Sequence, residues 1–554
     1  MDRLAIAMDL GTSGFRAQAL DLVSGQILST AITTRHPLPG ANVIDHLHFT
    51  LEVGGEAVQE LMVHAVNRVL EQLRVPLRQV RRLAVCGNPT QLSLFQGMEI
   101  RDLAYAGSRK LRDLGVEPPT REAEIRVAAD FPDLLLPAGC EVVIPPAVHD
   151  EVGADALALI LQSGLLARDK TAIAIDYGTN AEMALLHEGR IHTGSAAAGP
   201  ALEGQHIACG ILAAPGAIAG LEATDAGHRL LVLDREMQPV PGAVVDLREA
   251  VAPLEDAGPQ AVAITGTGVI AALEQGLQTG AIVLPHIRTR DQRLHFGQDI
   301  YLTEDDVAEA GKAIGAIRAG YSTLCVEAGI GPADIHTAYL AGASGTYMDA
   351  RKASYLGLVP PRAAELHQVG NTALAMARDL ALAPEKLAAM KDLAQRLRET
   401  HCMFALSKTF GHLFVLELSH WTEGMPLSMY RQLLHRYDLP DLPPAIPAPL
   451  VVRTVDRDID DLGVLGLVTV EQVGTLAWQQ FAGCTGCLSC VRECPAHAIS
   501  VGAEGAAATP PALIVDHALC NGVACRRCEQ VCPAGVFRLN AFFGAGVARP
   551  SRKP

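Results

Sequence analysis

Short apolar runs that end at glycine turns set the pattern of this chain. Residues 4–9, LAIAMD, form an apolar run that ends at Asp9 and meets the turn Gly11-Thr12-Ser13-Gly14. Apolar spacing resumes with AQALDL from Ala17, and Ser24-Gly25 turns the chain into QILSTAITT. The pattern predicts strand, glycine-rich hairpin, strand, strand. The same device returns at 172–186, AIAIDYGTNAEMALL, with Asp176 and then Gly178-Thr179-Asn180. A third glycine turn, Thr265-Gly266-Thr267-Gly268, follows the strand AVAI and precedes the apolar helix VIAALEQG. A fourth, in YLAGASGTYMD, places Gly342, Ser344 and Gly345 after another strand and before a helix.

Helical spacing takes over between these turns. Val307, Ala310, Ile314, Ile317 and Tyr321 recur at intervals of three and four, which predicts a helix over 304–324. Residues 384–399 read as an amphipathic helix, 401–418 as a β-rich stretch, and 426–439 as another helix. The run LPDLPPAIPAP, 439–449, has five prolines and reads as a stiff linker. The resulting layout is 1–170, 171–438, a linker at 439–467, and a last domain at 468–545. Arg549, Arg552 and Lys553 fall in an end expected to be disordered.

Chemistry enters with the turns. A Gly-Thr-Ser-Gly turn bares backbone N–H groups and hydroxyls, which suit phosphate oxygens. Asp9 or Asp176 just before such a turn can hold Mg²⁺ through water. The repeated device suggests a duplicated domain that grips a phosphate from both sides. A helix start behind a glycine turn, as at Gly266-Thr267-Gly268, is an anion site. Each of these turns can also be an ordinary hairpin or cap. Glu203, in AGPALEGQ, either positions Mg²⁺ or the attacking water, or caps a helix. Asp150 and Asp155 lie where a Pro-Pro turn enters a helix. Asp155 either touches a nucleotide or serves the helix dipole. His206 and Cys209 are too few for a metal site.

Cysteine spacing changes the picture most. CTGCLSCVRECP holds Cys484, Cys487, Cys490 and Cys494, and CNGVACRRCEQVCP holds Cys520, Cys525, Cys528 and Cys532. Two Cys-x2-Cys-x2-Cys-x3-Cys-Pro-like runs are the spacing of a ferredoxin with two [4Fe–4S] clusters, in which the fourth Cys of each run serves the other cluster. That assigns Cys484, Cys487, Cys490 and Cys532 to one cluster, and Cys520, Cys525, Cys528 and Cys494 to the other. The second run spaces its first two cysteines more widely. Structural zinc also takes paired cysteines, but its ligands seldom come four in eleven residues before a proline. The remaining five, Cys86, Cys140, Cys209, Cys325 and Cys402, are scattered through the chain like reduced thiols, with Cys325 and Cys402 read as small buried hydrophobes.

Composition narrows the rest. With 49% hydrophobic, 4% aromatic and 19% charged residues, the chain reads as globular with an aliphatic core. A net charge of −16 argues against nucleic acid as a partner. MDRLAIAMDLGTS offers no apolar leader, and no run of about 18 uncharged apolar residues occurs. The reading expects a soluble, cytoplasmic protein without a membrane partner.

Two Asp-x-Gly-Thr hairpins, then a Gly-x-Gly turn and a late LAGxxG, resemble the acetate kinase/sugar kinase/Hsp70/actin superfamily. SAAAGPALEGQHIACGILAAPGAI, YLTEDDVAEAGKAIGAIRAGYSTL, YLAGASGTYMDARKASYLGLVP and GNPTQLSLFQG are similar to one branch of it, the ATP-dependent reductive activators of corrinoid proteins. The match is to members with a C-terminal two-cluster ferredoxin, the branch that serves methylamine methyltransferases. The resemblance covers essentially the whole chain. It implies an α/β, two-lobed ATPase followed by a small α+β ferredoxin domain. It further implies ATP and Mg²⁺ at Asp9, Gly11, Thr12, Ser13, Asp176, Gly178, Thr179, Asn180 and Glu203, with the later glycines bordering adenosine. Lys312 either reaches the adenine or is a solvated lysine. The implied reaction is one-electron reduction of a partner's Co(II) to Co(I), with a low-potential donor upstream and a homodimer as a plausible assembly. Three rival readings use the same parts: an activator of another low-potential enzyme, a non-hydrolysing electron-transfer scaffold, and a sugar or acetate kinase with an appended ferredoxin.

Overall fold

The computed structural model describes residues 3–105, 108–297, 299–471, 473–474, 476–502 and 510–542. Residues 543–545 of the expected last domain lie outside the described residues, as do Arg549, Arg552 and Lys553. The chain divides into two compact units. One comprises the residues up to Asp150, Ala377–Leu387 and those from Leu462 onward; the other comprises Glu151–Met376 and Ala388–Asp461.

The first unit is built on a seven-stranded sheet. Leu4–Leu10 lies at its centre, antiparallel to Phe15–Asp21 and parallel to Val80–Gly87. All seven residues of Leu4–Leu10 are buried, as expected for a central strand covered on both faces. Phe15–Asp21 continues antiparallel into Ile27–Thr33, giving the strand, hairpin, strand, strand order expected from the sequence. The next strand outward is far away in the chain. Leu467–Val470 runs parallel to Ile27–Thr33, and Thr30 Oγ1 donates to the Leu462 carbonyl at 3.0 Å. After it comes a separate three-stranded sheet in which Leu513–Asp516 pairs with both Leu476–Gln479 and Ile499–Val501. Phe481, Phe537 and Phe542 pack ring to ring beside that sheet, with centroids 5.1–5.6 Å apart.

The second unit repeats the motif. Ala172–Tyr177 pairs antiparallel with Ala181–His187, which pairs with Arg190–Ala196. On its other side Ala172–Tyr177 lies parallel to Thr337–Ala341, followed outward by Glu365–Gly370 and Leu450–Arg453. The proline-rich run at 439–449 leads into that outermost strand: Leu442 is buried in the unit's core and Ile446 donates to the Pro361 carbonyl at 2.9 Å.

The expected helix over 304–324 appears as Glu304–Glu327, capped at Thr303, with all five of its predicted apolar positions buried. The stretch at 401–418 departs from expectation. Lys408–Trp421 is a helix, capped by Ser407, whose side chain accepts from the Phe410 N–H. Its aromatic residues favour strands only where a sheet receives them, and here the acceptor is another helix. A Cβ on Gly311 would come within 2.6 Å of Trp421, and one on Gly315 within 2.7 Å of Glu417. Bare glycines a turn apart let the two helices approach that closely, and the burial of Leu413, Leu416, Glu417 and Trp421 fixes the helical period.

Candidate functional site

Asp9 is the last residue but one of the central strand of the first unit and is buried, opposite Arg16 in register and 3.9 Å from its guanidinium. Two neighbours hold the turn that follows. Thr33 Oγ1 accepts from the Phe15 N–H at 2.8 Å and occupies the space a Cβ on Gly14 would need. Asn88 Nδ2 donates to Thr12 Oγ1 at 2.9 Å. Asn88 also caps the helix Pro89–Gln96, so the hairpin is tied to that helix. An Asn-Pro pair at a helix start is the sequence signal for this cap.

Inside the same helix Gln91 clamps two buried histidines. Its Oε1 accepts from His36 Nε2 at 2.9 Å and its Nε2 donates to His46 Nδ1 at 2.9 Å. His36 Nδ1 accepts from the Leu38 N–H, so both rings are neutral with the proton on Nε2. Burial holds His36 well below the usual histidine range, and burial takes His46 down to about 3. The unfolded chain therefore binds more protons than the folded one below pH 6.5, and stability falls as the pH falls. Each histidine should cost about 1.4 kcal/mol per pH unit in that window. Melting temperature measured from pH 7 to pH 4 should fall steeply in the native protein and less steeply in His46→Gln; equal slopes would reject this account.

In the second unit, four separated sequence motifs meet at Asp176. Gly342 sits beside it with φ of +77°, and a Cβ there would lie 2.3 Å from Asp176 Oδ1. Only glycine brings that backbone so close. Thr179 Oγ1 donates to Glu203 Oε2. The residue before Glu203 links the others: the Leu202 carbonyl accepts from Ser344 Oγ at 2.8 Å, and a Cβ on Gly266 would meet it at 2.0 Å. Thr267 and Gly268 face the other way. Thr267 Oγ1 donates to the Ala219 carbonyl at 2.9 Å, and a Cβ on Gly268 would lie 2.3 Å from the Ile218 carbonyl. Both seat the helix Gly266–Gln278 on its strand. A Cβ on Gly345 would meet the Leu340 carbonyl carbon at 2.8 Å. Gly178 and Asn180 are half-buried at the hairpin tip.

One residue escaped the sequence reading. The register sets Ala341, Asp176, Glu182 and Ser195 opposite one another across four strands. Directly opposed side chains share a face about 4.5–5.5 Å apart at Cβ, so Glu182 lies beside Asp176. Burial, then the charges of Asp155 and Asp176, push its carboxyl well above the usual range. Asp155, in the first turn of the helix Ala154–Gln162, thus belongs to this cluster. The signal was in the hairpin: a tight turn after Asp176 puts Glu182 across from it. Lys312 is exposed and pairs with Glu309 at 2.6 Å, as a solvated lysine does. Asp150 is exposed, 3.8 Å from His149.

Both cysteine runs use one local fold. Leu488 and Arg526 each adopt left-handed backbone, with φ of 56° and 44°, and each starts a four-residue helix, Ser489–Arg492 and Arg527–Gln530. Cys490 and Cys528 occupy the same place on these helices. Such turns point backbone N–H groups into a concavity suited to iron–sulfur groups. The wider first spacing of the second run is taken up by the turn Gly522–Ala524. Cys484, Cys487, Cys490 and Cys532 line one pocket together with Leu488, Pro533 and Phe537. In the other set Cys520 is lifted to about 11 and Cys528 to about 12, mainly by burial, with the charge of nearby Cys494 contributing to both. The fourth cysteine of each run is therefore placed with the first three of the other. Eight thiols in two fours, with N–H groups of Ala498 and Gly522 each 3.3 Å from the sulfurs of Cys494 and Cys520, fit two iron–sulfur clusters. The second run is moored to the loop and helix that follow the first hairpin: the Gly40 N–H donates to the Cys520 carbonyl at 3.1 Å, and Arg526 pairs with Glu52 of the helix Val43–Val53.

Residues 170–431 match the family described as the C-terminal domain of RACo, the ASKHA domain, and residues 4–168 match the RACo middle region. Residues 483–536 match the 4Fe-4S dicluster domain. The [Co(II) methylated amine-specific corrinoid protein] reductase of Methanosarcina barkeri is 44% identical over 497 residues, 90% of this chain and 92% of that protein. The corrinoid activation enzyme RamQ of Eubacterium limosum is 26% identical over 393 residues, 66% of this chain and 62% of its own length. Among solved structures, a reductive activator for a corrinoid, iron-sulfur protein shares the fold with a TM-score of 0.62 at 24% identity, covering 76% of this chain and 68% of that one. With an ASKHA domain and a 4Fe-4S dicluster domain in one polypeptide, the chain belongs to the family of reductive activators of corrinoid proteins.

Proposed function

We propose that the protein hydrolyses ATP to drive one-electron reduction of Co(II) to Co(I) in a partner corrinoid protein. The observation that supports this best is the crossed sorting of eight cysteines in a chain whose second unit gathers Asp176, Thr179, Glu203 and Ser344. The cysteines would hold two [4Fe–4S] clusters, which supply one-electron transfer when bound. Cys487 is exposed, so its set is the one we assign to electron exchange with partners.

Asp176 is the residue we assign to Mg²⁺, with the half-buried carboxylate beside the Gly342 backbone. Burial, then its acidic neighbours Asp155 and Asp176, push the Glu182 carboxyl well above the usual range, which favours its neutral form beside Asp176. Thr179 and Glu203, bonded to each other, are placed to orient the attacking water or the phosphate it attacks. The turn after Asp9 has the same build, and Gly11, Thr12 and Ser13 would take phosphate oxygens through backbone and hydroxyl groups. Gly342, Ser344 and Gly345 would border the adenosine. Thr267 and Gly268 support that region from behind, since their contacts go to the Ala217–Ala223 strand.

Energetically the partner's cobalt is hard to reduce: each ~59 mV of unfavourable potential costs a factor of ten for one electron. Nucleotide can offset that only by binding two states of the protein differently. The reading assigns the reaction to the cytoplasm, where thiols are kept reduced, with a low-potential donor upstream. No helix among the described residues is long and apolar enough to cross a membrane.

The test is anaerobic. Reconstituted protein, a low-potential reductant and a Co(II) corrinoid protein should develop Co(I) absorbance when ATP is added. Absence of that signal with iron fully loaded would overturn the reading. ATP turnover without any sugar or acetate counts against a kinase with an appended ferredoxin.

A further inference from the structure

In the first unit the segment 33–40 touches a phosphate turn at one end and a cysteine run at the other. At its start, Thr33 Oγ1 accepts from the Phe15 N–H and donates to the Arg35 carbonyl, both at 2.8 Å, so the residue that closes the Gly11–Gly14 turn hangs on it. At its end, the Gly40 N–H donates to the Cys520 carbonyl at 3.1 Å, and a Cβ on Gly522 would come within 2.9 Å of Pro39. Gly522 in turn directs its N–H at the Cys520 sulfur, 3.3 Å away. Pro37 and Pro39 fix two of the intervening φ angles, and residues 36–39 are buried. The segment is a stiff strap.

Its middle is clamped to the other side of the same turn. His36 donates to Gln91, which lies in the helix that Asn88 caps, and Asn88 also bonds Thr12. Phe15 meets the His36 ring edge-on at 5.3 Å between centroids, and His46 stacks on its face at 4.1 Å. A displacement of Thr12 or Phe15 therefore reaches His36 through direct contacts. One bond at the strap is unmade. With Nδ1 accepting from Gln91, His46 carries its proton on Nε2, which has no hydrogen-bond partner although the ring is fully buried. The polar group that acts on that ring is the Gly40 backbone. A buried donor without a partner is costly, so a second position of Gly40, with its carbonyl on His46 Nε2, competes with the first. Two discrete arrangements of one packed element are what coupling between sites requires.

We propose that this strap couples nucleotide at the Gly11–Gly14 turn to the redox state of the second cysteine set, the two biasing the same pair of positions of Gly40. The claim rests on the proposed nucleotide site at the first hairpin. It assigns nucleotide sensing to the set of Cys520, Cys525, Cys528 and Cys494, and leaves the set of Cys487 for exchange with partners. Negative charge added at the second set stabilises an N–H directed toward it, which holds Gly40 on Cys520; hydrogen bonding is one of the levers that set cluster potentials. Nucleotide acts at the other end, through Thr12 and Phe15. Whatever factor one state imposes on the other site's affinity is returned in full, because the linkage is reciprocal.

Calorimetry with Mg²⁺ and the non-hydrolysable analogue AMPPNP, on full-length protein carrying both clusters, measures the coupling. Kd should differ at least about fivefold between oxidised and dithionite-reduced protein. The difference should persist in Cys532→Ser, which spares the second set, and vanish in Cys528→Ser; the reverse pattern overturns the assignment of sensing to that set. Pro39→Gly frees the strap, and His46→Phe keeps a ring on His36 while removing the donor that faces Gly40. Each should retain its iron and bind AMPPNP, with the redox difference cut below about twofold. A full difference in both variants overturns the strap. Amide exchange reads the two positions directly: the Gly40 N–H should change its protection at least about threefold when AMPPNP is added, and unchanged protection overturns them. AMPPNP bound equally by oxidised and reduced protein overturns the coupling alone. No binding in either state overturns the proposed nucleotide site, and the strap with it.

Discussion

Serine in place of Cys532 should empty the cluster site formed by the first cysteine run. Cys532 lines the pocket of Cys484, Cys487 and Cys490, while Cys494 lies with Cys520 and Cys528. Iron content should fall by half in Cys532→Ser, and cobalt reduction should drop to background with nucleotide binding retained. Pairs of substitutions make the test decisive. Cys487→Ser with Cys532→Ser damages one site twice and should keep half the iron. Cys487→Ser with Cys494→Ser damages both sites and should keep almost none. If the two double variants exchange these results, the runs are not crossed.

Asp176→Asn should do the converse. Iron content and cluster spectra should be unchanged, while ATP hydrolysis falls by roughly 10²–10³-fold, the usual effect of removing one group that stabilises developing charge on a transferring phosphoryl group. Asparagine matches aspartate in shape, so the close approach of Gly342 survives and the fold is spared. Stopped electron delivery in the same variant would tie the two chemistries together. Normal hydrolysis would reduce the second hairpin to a structural turn.

Much of this was legible in the residues. The cysteine spacing carries its own geometry, because ligand sets of this kind are local except for the crossed fourth member. The two Asp-x-Gly-Thr hairpins are legible because a turn and its flanking strands are contiguous in the chain. What escaped was set by tertiary contact. Glu182 reads as one polar residue in an apolar strand until register places it opposite Asp176. Phe404, Phe410 and Phe414 suggest β-structure, yet Phe410 and Phe414 lie on a helix because glycines of the neighbouring helix accept it. Thr267 and Gly268 look like an anion turn in the sequence, and only tertiary contact reveals that they also seat the helix on its strand.

The strand Leu467–Val470 limits how the chain can be divided. It occupies the outer edge of the seven-stranded sheet, beside Ile27–Thr33. A chain cut before it would lose its cysteine runs and also bare a row of unpaired N–H and C=O groups along Ile27–Thr33, an invitation to edge-to-edge association. The excised tail would carry the complementary orphan strand. The cysteine runs and the sheet of the first unit therefore cannot be purified apart simply by truncation, and any loss of activity in a trimmed chain must first be checked for aggregation.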